Sequence, residues 1–393
     1  MSKRIAVIGA GITGITTAYY LAKKGYCVSV YEQERYPAMR TSFANGGQIS
    51  VSNSEVWTTW SNVRKGIKWM FKKDAPLLIR PGLEWDKVKW LAAFLKYTAS
   101  DVYYQNTIDT IRMGMASRGL YHDLVQEEKL EFDQTASGIL HFYKDRSYFD
   151  HAVKAQALYD QEGCEWTILS ADQVQAKDPA LSTIKNIVGG AWTGDDWTGD
   201  IHKFCYQLAA KLKAMNNVSF YYDSNIDSPM ALLLDHDSVI VSAGVGSKRL
   251  AKTVNDNLPI YPVKGYSITV NNVDSDQLPR VSLLDDQAKI VTSTLGNKLR
   301  VAGTAELAGE NYDIRRDRIE PLLHWVHENF PMINTHDYSS WACLRPMTPN
   351  MMPIVRVSEN NSRVFYNTGH GHLGWTLAPF TAQQVVELVE KLD

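Results

Sequence analysis

An α/β protein is predicted, with a glycine-rich β-α-β unit at the amino terminus and a second part of α+β type carrying an antiparallel sheet. Three observations predict it. An apolar run of β type, residues 4–8, leads into Gly9-Ala10-Gly11-Ile12-Thr13-Gly14. Residues 12–24 then have helical spacing, with Ile12, Ile15, Tyr19 and Ala22 on one face, and a second β run, 27–31, ends at Glu32. Farther on, residues 139–144, 265–271, 289–294 and 298–302 read as strands of an antiparallel sheet.

Each residue of the first unit has a physical task. Gly9 permits a tight turn, Gly11 lets a pyrophosphate approach the backbone, and Gly14 lets helix and strand pack closely. The helix N-terminus offers free N–H groups and the positive end of a dipole. Gly25 follows two lysines, as at a helix C-terminus. Glu32 falls 18 residues after Gly14, where an acid that binds a ribose belongs, and an acid there argues against a 2′-phosphate. Residues 5–22, apolar and preceded by Lys3 and Arg4, could pass for a signal peptide or a span, but Gly9, Gly11, Gly14 and three threonines split them into strand and helix.

Composition bounds the rest. A chain of 393 residues has room for two to three domains. Lys+Arg number 41 against 43 Asp+Glu, so no overall field favours nucleic acid, and none is expected as a partner. Cys27, Cys164, Cys205 and Cys343 lie far apart, which argues against a disulfide framework or a structural metal site and fits a reducing, cytoplasmic compartment.

Beyond Glu32 the chain does not repeat the β-α-β pattern. Residues 40–50, RTSFANGGQIS, suit backbone lying against a flat polar ligand. Residues 368–376, TGHGHLGWT, form a second glycine-rich turn ahead of an apolar helix expected over 378–392. Such a helix N-terminus can stabilise negative charge developing on a ring carbonyl. With these go Ile67-Lys-Trp-Met-Phe71, Ala75-Pro-Leu77, Tyr261-Pro-Val-Lys-Gly-Tyr-Ser267 and Leu344-Arg-Pro-Met-Thr-Pro349. On these motifs, from residue 5 to about residue 380, the chain resembles the D-amino-acid dehydrogenases among the FAD-dependent amine and amino-acid oxidoreductases. It departs from them twice. Asn350-Met351 stands where the family usually has Asp-Gly, and the stretch 225–237 is short.

The resemblance implies an FAD-binding Rossmann-like domain of the glutathione-reductase/D-amino-acid-oxidase type, assembled from 1–52, 148–257 and 340–393. The substrate domain would then comprise 53–147 and 258–339. A helix over 200–216, a strand over 218–223 and a returning strand over 239–244 are expected in the FAD part. FAD would be held non-covalently by Gly9, Gly11, Ile12, Thr13, Gly14, Glu32, Arg40, Thr41, Ser42, Asn45, Gly46, Gly47, Gln48, Ile226, Ala243 and Gly244. From the far end of the chain it would be met by Gly371, His372, Leu373, Gly374, Trp375 and Thr376. Ile226 would meet the adenine through its backbone.

The implied reaction is oxidative deamination: hydride leaves the substrate Cα for flavin N5, and the imino acid hydrolyses to a 2-oxo acid and ammonia. Positioning is expected to matter more than a dedicated base. Arg345 is the expected carboxylate anchor, because its planar fork bonds bidentately. Two readings stand for Tyr266, a hydroxyl on the same carboxylate or a buried strand aromatic. His370 either lies near the flavin pyrimidine, against the substrate, or satisfies backbone groups. Lys264 either holds a water near N5 or is a solvated strand residue, the reading we favour. No acidic pair marks a cationic substrate, so small or neutral D-amino acids are expected.

Between residues 56 and 95, Trp57, Trp60, Trp69, Trp85 and Trp90 interleave with Arg64, Lys65, Lys68, Lys72 and Lys73, plus Met70 and Phe71. This is the composition of an interfacial segment, too short in its apolar runs for the roughly 20 residues of a span. Docking on the inner face of the cytoplasmic membrane, with a quinone or another electron-transfer partner as acceptor, is the functional reading. An ordinary core with a basic face is the plain one. The rival functions are a soluble oxidase of glycine, sarcosine or proline type and a flavoprotein subunit dedicated to electron transfer.

Overall fold

The structure, a computed structural model, describes residues 2–69, 76–80, 82, 84–100 and 102–392. Strand β1 (Arg4–Ile8), helix α1 (Ile12–Lys23) and strand β2 (Cys27–Tyr31) form the expected unit. β1 lies at the inside of a six-stranded sheet, parallel to β2 and to the strand Ser238–Val241. Such a strand is covered on both faces, which is why residues 5–8 are uniformly apolar and all buried. One face carries α1, the helix Ile201–Lys213 and the C-terminal helix Gly374–Lys391; the other is closed by Leu233, Leu250, Val254 and Leu258. α1 stops at Gly25, whose φ of +88° costs a glycine little. The short stretch 225–237 holds one turn of helix, Pro229–Leu232, before the returning strand.

The C-terminal helix begins at Gly374, four residues before the expected 378, and runs through Pro379. A proline there leaves the carbonyl of residue 375 without its helical donor. The Tyr121 hydroxyl, 2.5 Å from the Trp375 carbonyl oxygen, donates in its place.

The second sheet has nine strands, and it is mixed rather than antiparallel throughout. Its order is Tyr338–Met347, Tyr261–Val270, Lys298–Leu307, Ile290–Leu295, Ser282–Asp285, Ile139–Tyr143, Gly189–Thr193, Thr167–Leu169. Leu77–Ile79 adds on parallel to Lys298–Leu307, and Ser282–Asp285 runs parallel to Ile139–Tyr143. The expected division of the chain therefore differs from sheet membership in two places. Gly189–Thr193 and Thr167–Leu169, inside 148–257, pair in the nine-stranded sheet, and so does Tyr338–Met347, which reaches into 340–393. The register shift between Lys264 and Tyr266 puts a bulge at Gly265. Helices α2 (Trp60–Trp69) and α3 (Trp85–Thr98) lie at the outer end of this half.

Candidate active site

One cavity of about 850 Å³ runs from the glycine turn of β1 to the inner faces of α2 and α3. At its first end Gly9 has φ +104°, and a Cβ there would lie 2.6 Å from the Ser242 carbonyl oxygen. A Cβ on Gly14 would lie 1.8 Å from the Gly9 oxygen, so only glycine lets helix and strand meet as they do. The Ile12 N–H donates to the Ser42 hydroxyl at 3.1 Å, tying 40–50 to the start of α1. Buried Glu32 lines the cavity, and its carboxylate accepts the N–H of Ala10 (2.6 Å) and of Glu34 (3.0 Å). Burial pushes its pKa up, and those two bonds oppose the rise. Arg40 pairs with Glu34 and lies over the Tyr312 ring.

Gly11, Thr13, Thr41, Ser42, Asn45, Gly46, Ile226, Ala243 and Gly244 also line this cavity, as do Gly371, His372, Gly374 and Trp375. Gln48 lines it too, but its amide donates to Ser282 Oγ and the Leu283 carbonyl, joining 40–50 to the second sheet. Thr376 Oγ1 accepts the Ser50 N–H at 3.0 Å, and Leu373 and Gly47 are not among the lining residues. Four polar atoms of the wall, Ser242 Oγ, Thr304 Oγ1, His372 Nδ1 and Trp375 Nε1, are buried without a partner among the described residues. Buried polar atoms are normally satisfied, so this wall fits a polar ligand. The glycine turn, the buried acid and the second glycine motif fit FAD.

Arg345 stands in the middle of the wall. Its guanidinium leaves the strand Tyr338–Met347, crosses Gly265 on the next strand and donates from Nη1 to the Thr304 carbonyl, one strand farther, at 3.1 Å. It makes no ion pair with a described residue, and burial alone lowers its pKa. A half-buried guanidinium fork without a carboxylate is what an anionic substrate group completes.

Beside it the solvated reading of Lys264 is corrected, and Tyr266 and His370, for each of which two readings stood open, have defined partners. The Tyr266 hydroxyl donates to Glu306 Oε2 at 2.5 Å, so it is held inside the sheet and is not free for a substrate carboxylate. Burial of Glu306 would raise its pKa, but bonds from Tyr266 and Arg80 outweigh that and hold it low. Lys264 is fully buried rather than solvated, and its ammonium is taken by Asn311 Oδ1 (2.6 Å) and the Asp313 carbonyl (2.7 Å). The His370 ring is bonded from Nε2 to Thr381 Oγ1 at 2.9 Å. Thr381 gives its own proton to helix carbonyls, so His370 donates from Nε2 and braces the helix while also lining the cavity. Burial pushes its pKa down to about 3.

Sequence reasoning named His372 for the cofactor but missed its stacking partner Trp57 and, in the same cavity, Asp286 and Lys289. Trp57 stacks on His372 at 4.8 Å, and burial pushes the His372 pKa down to about 4, so the slab stays uncharged. Asp286 and Lys289 line the same cavity. Only the tryptophan run could have pointed to Trp57, and nothing local marks Lys289. Val63, Ile67, Leu91 and Phe94 close the outer end, while Trp60, Ile67 and Trp85 are exposed beside it. Met70, Phe71, Lys72 and Lys73 lie outside the described residues. No helix among the described residues is long and apolar enough to cross a membrane.

The family model of the FAD dependent oxidoreductases matches residues 4–388. The chain is 45% identical to "D-amino acid dehydrogenase 3" of Mesorhizobium japonicum, over 98% of this chain and 97% of the relative. It is 35% identical to a D-amino acid dehydrogenase of Dechloromonas aromatica, over 98% and 96%. Among solved structures it is similar in fold to glycine oxidase from Geobacillus kaustophilus, with a TM-score of 0.77 at 18% identity over 99% and 95% of the two chains. With a family match spanning almost its whole length and a cavity that fits the cofactor, the chain belongs to the FAD-dependent oxidoreductases and is a flavoenzyme.

Proposed function

We propose that this flavoenzyme dehydrogenates D-amino acids at Cα. The imino acid so formed is hydrolysed to a 2-oxo acid and ammonia, and the electrons leave to an acceptor other than oxygen. The observation that carries the reading is Arg345, a cation set in the cavity wall with no anion of the described residues to answer it. FAD, when bound, supplies a two-electron hydride acceptor.

The chain's own residues do the positioning. Arg345 takes the α-carboxylate through its fork, held in place by the Thr304 carbonyl. The Trp57–His372 slab forms a flat, neutral wall that shields the reacting carbon from water and does not compete with Arg345 for the carboxylate. The preference for the D form rests on the relatives named above. For the acceptor we propose a quinone or another non-oxygen electron carrier, met where exposed Trp60, Ile67 and Trp85 flank the outer end of the cavity, with this face docked on a membrane. Flotation with anionic liposomes at low salt tests the docking; protein that stays unbound contradicts it. The FAD-loaded enzyme, given D-alanine and a dye acceptor without oxygen, should form pyruvate and reduced dye. Rapid peroxide release in air would select an oxidase, and no product from any amino acid would favour an electron-transfer subunit.

A further inference from the structure

Two cations face the same cavity from one sheet, with two strands between the strands that carry them. Arg345 reaches across Gly265 to the carbonyl of Thr304 on the strand Lys298–Leu307. The next strand in the sheet, Ile290–Leu295, begins directly after Lys289, with Val291 opposite Ala302. Adjacent strands lie about 4.8 Å apart, so the Lys289 backbone is one strand spacing beyond the carbonyl that holds the guanidinium. A Cβ on Gly303 would indeed lie 3.2 Å from the Lys289 carbonyl oxygen. Val291 and Ala302 line the cavity with Lys289, so this part of the sheet presents one wall.

The Lys289 ammonium is held and aimed. It donates to Asp286 Oδ1 at 3.0 Å, and His141 Nδ1 contacts the other Asp286 oxygen at 3.0 Å. The turn that carries both is fixed by Asp285, which accepts the N–H groups of Gln287 (3.1 Å) and Ala288 (2.9 Å) and the indole N–H of Trp325 (2.9 Å). Lys289 takes φ +55° at the end of that turn. Of the pair, the ammonium is the more accessible member, its side chain 46% exposed against 19% for Asp286. An ammonium has three donors, and one bond to Asp286 leaves others for a ligand. Because Asp286 balances the charge, the pair asks for an oxygen acceptor rather than for a net anion.

We propose that Lys289, oriented by Asp286, is a specificity-determining residue that binds the substrate side chain. It would select D-amino acids whose side chain ends in a neutral acceptor oxygen, such as a carboxamide, while Arg345 holds the α-carboxylate. The inference rests on the dehydrogenase reading above and narrows the small or neutral side chains that the sequence alone suggests.

The test compares kcat/KM for D-glutamine with that for D-norleucine, on FAD-loaded wild type, Lys289→Met, Lys289→Arg and Asp286→Asn, with a dye acceptor. Loss of a hydrogen bond to a charged donor lowers the D-glutamine to D-norleucine ratio roughly ten- to hundredfold in Lys289→Met. Lys289→Arg, which keeps a cationic donor, retains most of the ratio, and Asp286→Asn, which loosens the ammonium, lowers it less than Lys289→Met does. A ratio that moves less than twofold in Lys289→Met overturns the proposal, as does an equal loss on both substrates accompanied by a shifted flavin spectrum, the mark of a residue that serves the cofactor. Should wild type be reduced by no D-amino acid at all, the dehydrogenase reading falls and takes this one with it.

Discussion

Gly265→Ala isolates the geometry of the carboxylate anchor. Gly265 has no positive φ, so alanine fits its backbone without strain. The new Cβ, however, would lie 2.4 Å from Arg345 Nη2 and 2.5 Å from Cζ, against the 3.4 Å of an ordinary contact. The guanidinium must retreat by about 1 Å, the difference between those contacts, and its 3.1 Å bond to the Thr304 carbonyl then opens. A misplacement of that size can cost a reaction on the order of a hundredfold. Steady-state kinetics with a dye acceptor should show kcat/KM for D-amino acids falling roughly ten- to hundredfold, while FAD content and the thermal midpoint stay close to wild type. A kcat/KM within twofold of wild type would refute the assignment of Arg345 as the anchor.

Other outcomes follow from the same geometry. Arg345→Met should remove saturation by D-alanine yet leave the purified protein yellow; a KM unchanged from wild type contradicts the anchor. Gly14→Ala, with a Cβ 1.8 Å from the Gly9 oxygen, should purify with little FAD, read as flavin absorbance per unit protein; a full flavin load contradicts the glycine cradle. His370 is neutral when folded, with its pKa depressed to about 3 by burial against an ordinary 6.5. The unfolded chain therefore binds more protons between those values, and stability is lost as pH falls through them, by about 1.4 kcal/mol per pH unit for this group. Denaturation midpoints of His370→Asn should fall less steeply from pH 6 to pH 4 than those of wild type; parallel curves would contradict this. Met351 sits at φ +66°, a conformation that suits glycine, yet it is buried in the cluster of Trp90 and Met347. Relief of the left-handed backbone returns about 1 kcal/mol, less than the roughly 1.5–3 kcal/mol of a buried Met side chain, so Met351→Gly should destabilise by about 1 kcal/mol in urea unfolding.

The parts of the molecule that were legible in the sequence are those specified locally. The β1-α1-β2 unit, Glu32 and the glycine turns are set by residues close to one another in the chain, and their spacing is their meaning. Arg345 was legible only through the family motif, since a lone arginine carries no address. Lys264 was misjudged, and Tyr266 left between two readings, because their partners, Asn311 and Glu306, lie 47 and 40 residues away and meet them only in the folded chain. The C-terminal helix was begun late because Gly371 and Gly374 read alike. Only Gly371 takes a positive φ, +58°, while Gly374 opens the helix. Lys289 became visible only when strand register set it beside Thr304.

The central claim is that one cavity holds FAD and an amino acid anchored by Arg345. Anaerobic titration of the yellow holoenzyme with D-alanine and then, separately, L-alanine tests it most directly. The colour should bleach with the D isomer and persist with the L isomer. In Arg345→Met it should persist with both at the concentrations that bleach wild type. A holoenzyme bleached equally by both isomers, or an Arg345→Met variant bleached as readily as wild type, would contradict the account.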